Sequence, residues 1–183
     1  IRVGHIIQSI RRLSSHQNPH FETIDLRIII NEIEPFLKMI CKRAELKIVF
    51  TSPRQPIEVS VDRTGIEQII TNLITNADEA NSDKHPHRTR RPSTTLELTS
   101  TDQHAIIRIS DHGSGIPLDI QQKIFDAFAT SKPDGVGLGL NLSRSIAETH
   151  RGWLDVVETS ASGTTFELRL PRASVNMDQN EHD

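Results

Sequence analysis

Cysteine is almost missing from this chain of 183 residues. Cys41 stands alone, so no intrachain disulfide can form, which fits a reducing compartment without requiring one. No apolar run approaches the roughly 20 residues that cross a bilayer, and no secretory signal is visible. Basic residues are not in excess: 21 Lys plus Arg against 24 Asp plus Glu leave a net charge of −3, which argues against a nucleic-acid partner. Two common nucleotide signatures are also absent. There is no Gly-Lys-Ser/Thr and hence no Walker A, and there is no G-x-G-x-x-G fingerprint. Internal repeats are not visible. The chain opens on Ile1 rather than Met and reads as part of something longer.

What is present is an alternation of helical and extended patterns. IRVGHIIQSIRRL carries Val3, Ile6, Ile7, Ile10 and Leu13 on one helical face, and it reads as a helix cut through the middle. SSHQNPH (14–20) is a linker by composition. Asp25 is placed to cap a second helix that the spacing carries to about Ala44. Ile29, Ile33, Leu37 and Ile40 face inward there, and Pro35 should kink it or mark an irregular start. KIVFTS and IEVSVD predict short strands around a proline-containing turn. Asp62 is then placed to cap a long amphipathic helix from Arg63 to about Asn81. After the polar loop NSDKHPHRTRRPS, TTLELTS and HAIIRIS predict strands around TDQ. LNLSRSIAETH predicts a helix with Gly152 as its C′ residue, and WLDVVETS with TTFELRL a hairpin around ASG. The tail from Ala173 is polar and expected to be disordered. Such an order suggests a two-layer α/β sandwich.

On the long helix, Ile66, Ile69, Ile70, Leu73, Ile74 and Ala77 make the apolar stripe. Gln68, Asn72, Asn76 and Glu79 form a second stripe roughly a third of a turn away. A polar stripe alone is most often a solvated face. It can also be a ligand face, because an amide oxygen is a hard, neutral donor suited to Mg²⁺ already held by phosphates. DHGSGIP follows the apolar strand AIIRIS, which puts Asp111 at a strand end with a buried approach. A carboxylate there can accept a hydrogen bond from an exocyclic amine, while Gly113 and Gly115 let backbone pass close to a flat base. GVGLGL sets Gly135, Gly137, Leu138 and Gly139 just before a helix, where free N–H groups and the dipole suit a phosphate. An ordinary flexible loop has the same composition.

The ordered set is more specific than any member. NLITNADEA, DHGSGIP, IFDAF, GVGLGL and SGTTFELRLP resemble the N, G1, F, G2 and G3 boxes of the ATP-binding domain of sensor histidine kinases, in the GHKL superfamily. The resemblance covers roughly Phe21 to Pro171. It implies a Bergerat-type fold, a two-layer sandwich with a mixed, mostly antiparallel sheet and helices on one face. It also implies ATP and Mg²⁺ as ligands. Asn76 would be the Mg²⁺ ligand and Asn72 a supporting polar contact near metal and phosphates. Asp111 would bind the adenine amine, with Thr164 or its neighbour Thr165 near the base. Gly135, Gly137, Leu138 and Gly139 would line the phosphates. The short lid FATSKPDG is similar to that of nitrogen-regulatory and oxygen-sensing kinases. Lys132 is then the candidate phosphate contact, assisted by Thr130 and Ser131, against the alternative of an exposed loop lysine.

In gyrase-, chaperone- and mismatch-repair-type members of the superfamily, a water-activating glutamate stands four residues before the metal asparagine. Asn72 occupies that position, and an amide cannot act as a general base. The resemblance therefore implies a chain that holds ATP for transfer to another nucleophile, with Asn72, Asn76 and Lys132 in catalytic roles. None of the nine histidines has the acceptor context; His16 in SHQNP is a lookalike within a linker, and His112 falls at a variable position. IRVGHIIQSIRRL resembles the tail of a second dimerisation helix, so the acceptor would lie upstream. The expected division is 1–20 helix tail and linker, 21–172 ATP-binding domain, and 173–183 tail. Expected partners are the upstream helices, a response regulator and, for the full-length protein, a second copy. The domain is expected in the cytoplasm, with an inner-membrane anchor open for the whole kinase. The alternative is a nucleotide-binding regulatory module without transfer; remoter is a serine kinase of the anti-sigma type, which usually carries glutamate at the Asn72 position.

Overall fold

The computed structural model describes residues 19–41, 44–51, 55–84, 91–130 and 136–173. The expected opening helix, most of its linker and the polar tail lie outside the described residues. The chain begins with β1 (Phe21–Asp25), α1 (Leu26–Ile40), β2 (Ala44–Phe50), β3 (Glu58–Asp62) and α2 (Arg63–Lys84). It continues with β4 (Arg91–Ser100), β5 (His104–Ser110), the short α3 (Leu118–Gln121), α4 (Gly139–Thr149), β6 (Trp153–Ser160) and β7 (Gly163–Pro171).

Five strands form one sheet in the order β2-β4-β5-β7-β6. Its pairs are antiparallel except β2–β4, whose connection crosses over through α2. Strand alternation assigns the faces. Ala105, Ile107 and Ile109 of β5 and Phe166, Leu168 and Leu170 of β7 point into one buried layer. There α2 lies between α1 and α4 over the sheet, burying Ile66, Ile69, Ile70, Leu73, Ile74 and Ala77, the predicted stripe. Each large side chain of that set contributes roughly 1.5–3 kcal/mol by leaving water. The result is the two-layer sandwich with helices on one face.

Several boundaries differ from expectation. Asp25 does cap α1, its carboxylate accepting from the Arg27 N–H at 3.1 Å, but the helix stops at Ile40 because the chain must turn into β2. Pro35 sits inside a continuous helix; it and Asn31, whose carbonyl loses a partner, are both exposed, so solvent can serve that carbonyl. The strands β2 and β3 follow one another without pairing. β3 pairs instead with β1, a strand the apolar pattern did not reveal because three of its five residues are exposed. At the end of α4 the left-handed residue is Arg151 (φ 54°), not Gly152. Gly152 is needed for another reason: a Cβ there would lie 2.4 Å from the carbonyl oxygen of Arg169.

Candidate functional site

The second stripe of α2 is half-buried at Asn72 and Asn76. At its upstream end, Asn72 Nδ2 donates to Ser143 Oγ of α4 at 3.0 Å, and Ser143 is itself buried. The Asn72 Oδ1 faces Gly139, where an added Cβ would stand 2.5 Å away. The first turn of α4 is thereby pressed against α2. Leu138 occupies the N-cap of α4 without a side-chain capping bond, and the first turn holds no acidic residue. Its N–H groups are the kind that suit an anion. Gly137 (φ 70°) packs the segment before α4 against the Phe128–Ala129 backbone. A Cβ there would lie 2.5 Å from Phe128 backbone, and its carbonyl accepts from the Phe128 N–H at 2.8 Å.

Eight residues along α2 from Asn72, the other glycine segment arrives. A Cβ on Gly113 would meet the Ala80 Cβ at 2.7 Å. The two segments thus reach one helix roughly 12 Å apart along its axis, with Asn76 midway between them. Asp111 follows β5 directly and is 8% exposed. Its Oδ1 accepts from the Gly113 N–H (2.7 Å) and the Thr164 N–H (3.1 Å). The Asp111 N–H donates to the Thr164 carbonyl at 2.9 Å, which extends the β5–β7 ladder by one residue. Burial pushes the Asp111 carboxyl up, opposed by those two backbone donors and by the charges of His112 and Lys84. Of the two threonines named from the sequence, Thr164 is the one beside Asp111. Thr165 points to the opposite face, its hydroxyl 2.9 Å from Ser110 Oγ.

The tight turn before β7 depends on Gly163. Its φ is 142°, and a Cβ there would fall 2.0 Å from the Asp111 carbonyl oxygen. Gly115 stands equally close to Ser160. Thr130 is exposed at the end of a described segment, while Ser131, Lys132 and Gly135 lie outside the described residues. Sequence reasoning missed Asn81, Lys84, Ser143 and Gly163. Asn81 and Ser143 were legible in principle, since each is a polar residue at core spacing: Asn81 continues the row of Ile70, Ile74 and Ala77, and Ser143 precedes Ile146 and Ala147. A separate concavity of about 440 Å³ near Phe125, Arg144 and Val156 contains neither asparagine nor Asp111.

Among the described residues no three His, Cys, Asp or Glu side chains gather to hold a metal. A lone amide oxygen such as that of Asn76 fits a Mg²⁺ ion that keeps waters and takes phosphate oxygens for the rest of its shell. The donor set is compatible with that ion only in company with a phosphorylated ligand.

The profile of the histidine kinase-, DNA gyrase B- and HSP90-like ATPases matches residues 61–174, more than half of the chain. The signal transduction histidine-protein kinase AtoS of Escherichia coli is 29% identical over 169 residues, which are 92% of this chain and 27% of that protein. The sensor protein FixL of Bradyrhizobium diazoefficiens is 29% identical over 176 residues, 96% of this chain and 34% of that protein. The chain thus spans about a third or less of these relatives. Among solved structures, the mycobacterial sensor histidine kinase MprB superposes with a TM-score of 0.68 at 25% identity, over 84% of this chain and 98% of that one.

Proposed function

The chain belongs to the family of histidine kinase-, DNA gyrase B- and HSP90-like ATPases, and we propose that it is the ATP-binding catalytic domain of a sensor histidine kinase. One observation carries this reading: two glycine segments converge on a single helix face with Asn76 between them, and Asp111 stands at one end and the uncapped start of α4 at the other. Such a face accommodates a base at the carboxylate end and phosphates at the helix-terminus end. Asp111 would accept from the adenine amine, with Thr164 beside it. The N–H groups following Leu138 and Gly139, together with Thr130, Ser131 and Lys132, would bind phosphate oxygens. Asn76 would hold Mg²⁺, which when bound neutralises charge on the phosphates.

Asn72 fits a supporting role. Its amide is engaged by Ser143 and it can take no proton from water, so hydrolysis lacks a base at that position. Phosphoryl transfer to a histidine needs little more than positioning and charge stabilisation. The acceptor would be a histidine of upstream dimerisation helices, of which 1–20 would be the last part and linker, with 21–172 as the catalytic unit. The phosphoryl group would pass on to a response regulator, and the whole protein would work as a homodimer. Among the described residues no helix is long and apolar enough to cross a membrane. A domain that uses ATP would work in the cytoplasm, whatever anchors the rest.

The test is incubation with γ-labelled ATP. The chain should bind ATP and remain unlabelled, and an added acceptor-helix fragment of the same kinase should become labelled. Strong acid-labile label on the chain itself would overturn this account and direct attention to His16 or His112. Binding without transfer to the acceptor would leave a nucleotide-binding module.

A further inference from the structure

We infer that Asn81 and Lys84, in the last turn of α2, are positioning residues that set base recognition by holding both loops around Asp111 to the helix; this rests on the proposed reading of the site. Asn81 is fully buried and uses both ends of its amide. Its Oδ1 accepts from the His112 N–H at 2.7 Å, and its Nδ2 donates to Thr94 Oγ1 at 3.1 Å and towards the Pro92 carbonyl at 3.4 Å. The residue that follows Asp111 is thereby tied to α2 and β4 together. One turn further, Lys84 Nζ donates to the Gly113 carbonyl at 3.1 Å and the Ala161 carbonyl at 2.6 Å. Gly113 supplies one of the two N–H groups that orient the Asp111 carboxylate. Ala161 belongs to the turn whose Gly163 presses on the Asp111 backbone. A single ammonium therefore joins the two loops that fix this carboxylate. Its charge also favours the ionised form of Asp111, which is the stronger acceptor for an amine.

Neither residue touches a nucleotide in this account; each acts through Asp111. The distinction is measurable with inosine triphosphate, which presents a carbonyl oxygen where adenine presents an amine. A well-placed carboxylate should make the wild-type chain prefer ATP by about tenfold or more, the worth of one charge-assisted bond. Lys84→Met removes both tethers from a partly exposed side chain, so folding should survive. Its ATP-to-inosine triphosphate affinity ratio should fall by about threefold or more, because the two loops lose their common anchor. A role in stability alone would lower the melting temperature or weaken both nucleotides together, leaving the ratio unchanged. An unchanged ratio in folded Lys84→Met protein overturns the inference, whatever Asn81→Ala does to folding. A wild-type chain that binds neither nucleotide refutes the proposed function instead, so the two failures are told apart.

Discussion

Asp111 accepts most strongly from an amine when ionised, yet it is buried beside β7 with only backbone donors on Oδ1 among the described residues. Asp111→Asn should lower ATP affinity about tenfold or more, since a charge-assisted bond is worth roughly 1.5–3 kcal/mol and the amide can present a donor to a donor. Calorimetry giving unchanged affinity in a folded variant would remove Asp111 from the site. The pH dependence has a definite sign. Burial moves this carboxyl above the ordinary aspartate value of about 3.9, so ATP affinity should fall on acidification at a higher pH than an exposed aspartate would dictate. The buried place of Asp111 at the strand end was legible from the sequence, because the residue directly follows an isoleucine-rich strand that packs into the core. Which threonine stands beside it was not legible. That depends on which β7 residue stands opposite Asp111 and so shares its face of the sheet, and pairing register decides it.

Elements meet here through polar residues at core positions. His150, at the end of α4, is 4% exposed. Its Nδ1 lies 2.7 Å from the Ile146 carbonyl, which can only accept, so that nitrogen carries the proton. Its Nε2 then accepts from the Asp62 N–H at 2.9 Å, which ties the start of α2 to the end of α4. His150→Phe should preserve the ring contact with Phe21 but leave that N–H without its partner, at a cost of about 1–3 kcal/mol. Urea unfolding measures it, and a loss below about 0.5 kcal/mol would mean that water takes over the bond. Since α2 carries Asn72 and Asn76 while α4 offers its first turn, this far contact bears on the geometry of the site.

At the scale of the molecule, two carboxylates behave oppositely to Asp111. Burial pulls Glu167 up, but hydrogen bonds from Arg169 and Arg108 (the latter at 2.7 Å) outweigh it and hold the carboxyl below its usual range. Asp25 is lowered as well: burial raises it, and the side-chain and backbone bonds of Arg27, with the Ile57 N–H, more than compensate. Groups lowered on folding contribute stability that is present above their unfolded pKa and is lost as pH falls through the folded one. Stability should therefore be level near neutrality and decline below roughly pH 4. Glu167→Gln should be less stable at pH 7 and show a shallower acid decline. Urea titrations at several pH values check both, and an acid decline as steep as that of the wild type would rule out Glu167 as a source.

Local composition and spacing by themselves determined much of this protein: the helix stripe of α2, the cap at Asp25, the β4–β5 and β6–β7 hairpins, and the glycine segments placed beside Asp111 and before α4. These are short-range matters, settled by periodicity, turn chemistry and steric freedom within a few residues. Tertiary structure alone decided that β3 leaves β2 to pair with β1, that Gly139 packs on Asn72 while Gly113 packs on Ala80, and that Asn81 and Lys84 reach the Asp111 loops. Those contacts join residues some 30 to 80 positions apart along the chain. They arise only when the apolar stripe of α2 is buried against the sheet, because that burial brings its last turn to the ends of β5 and β6.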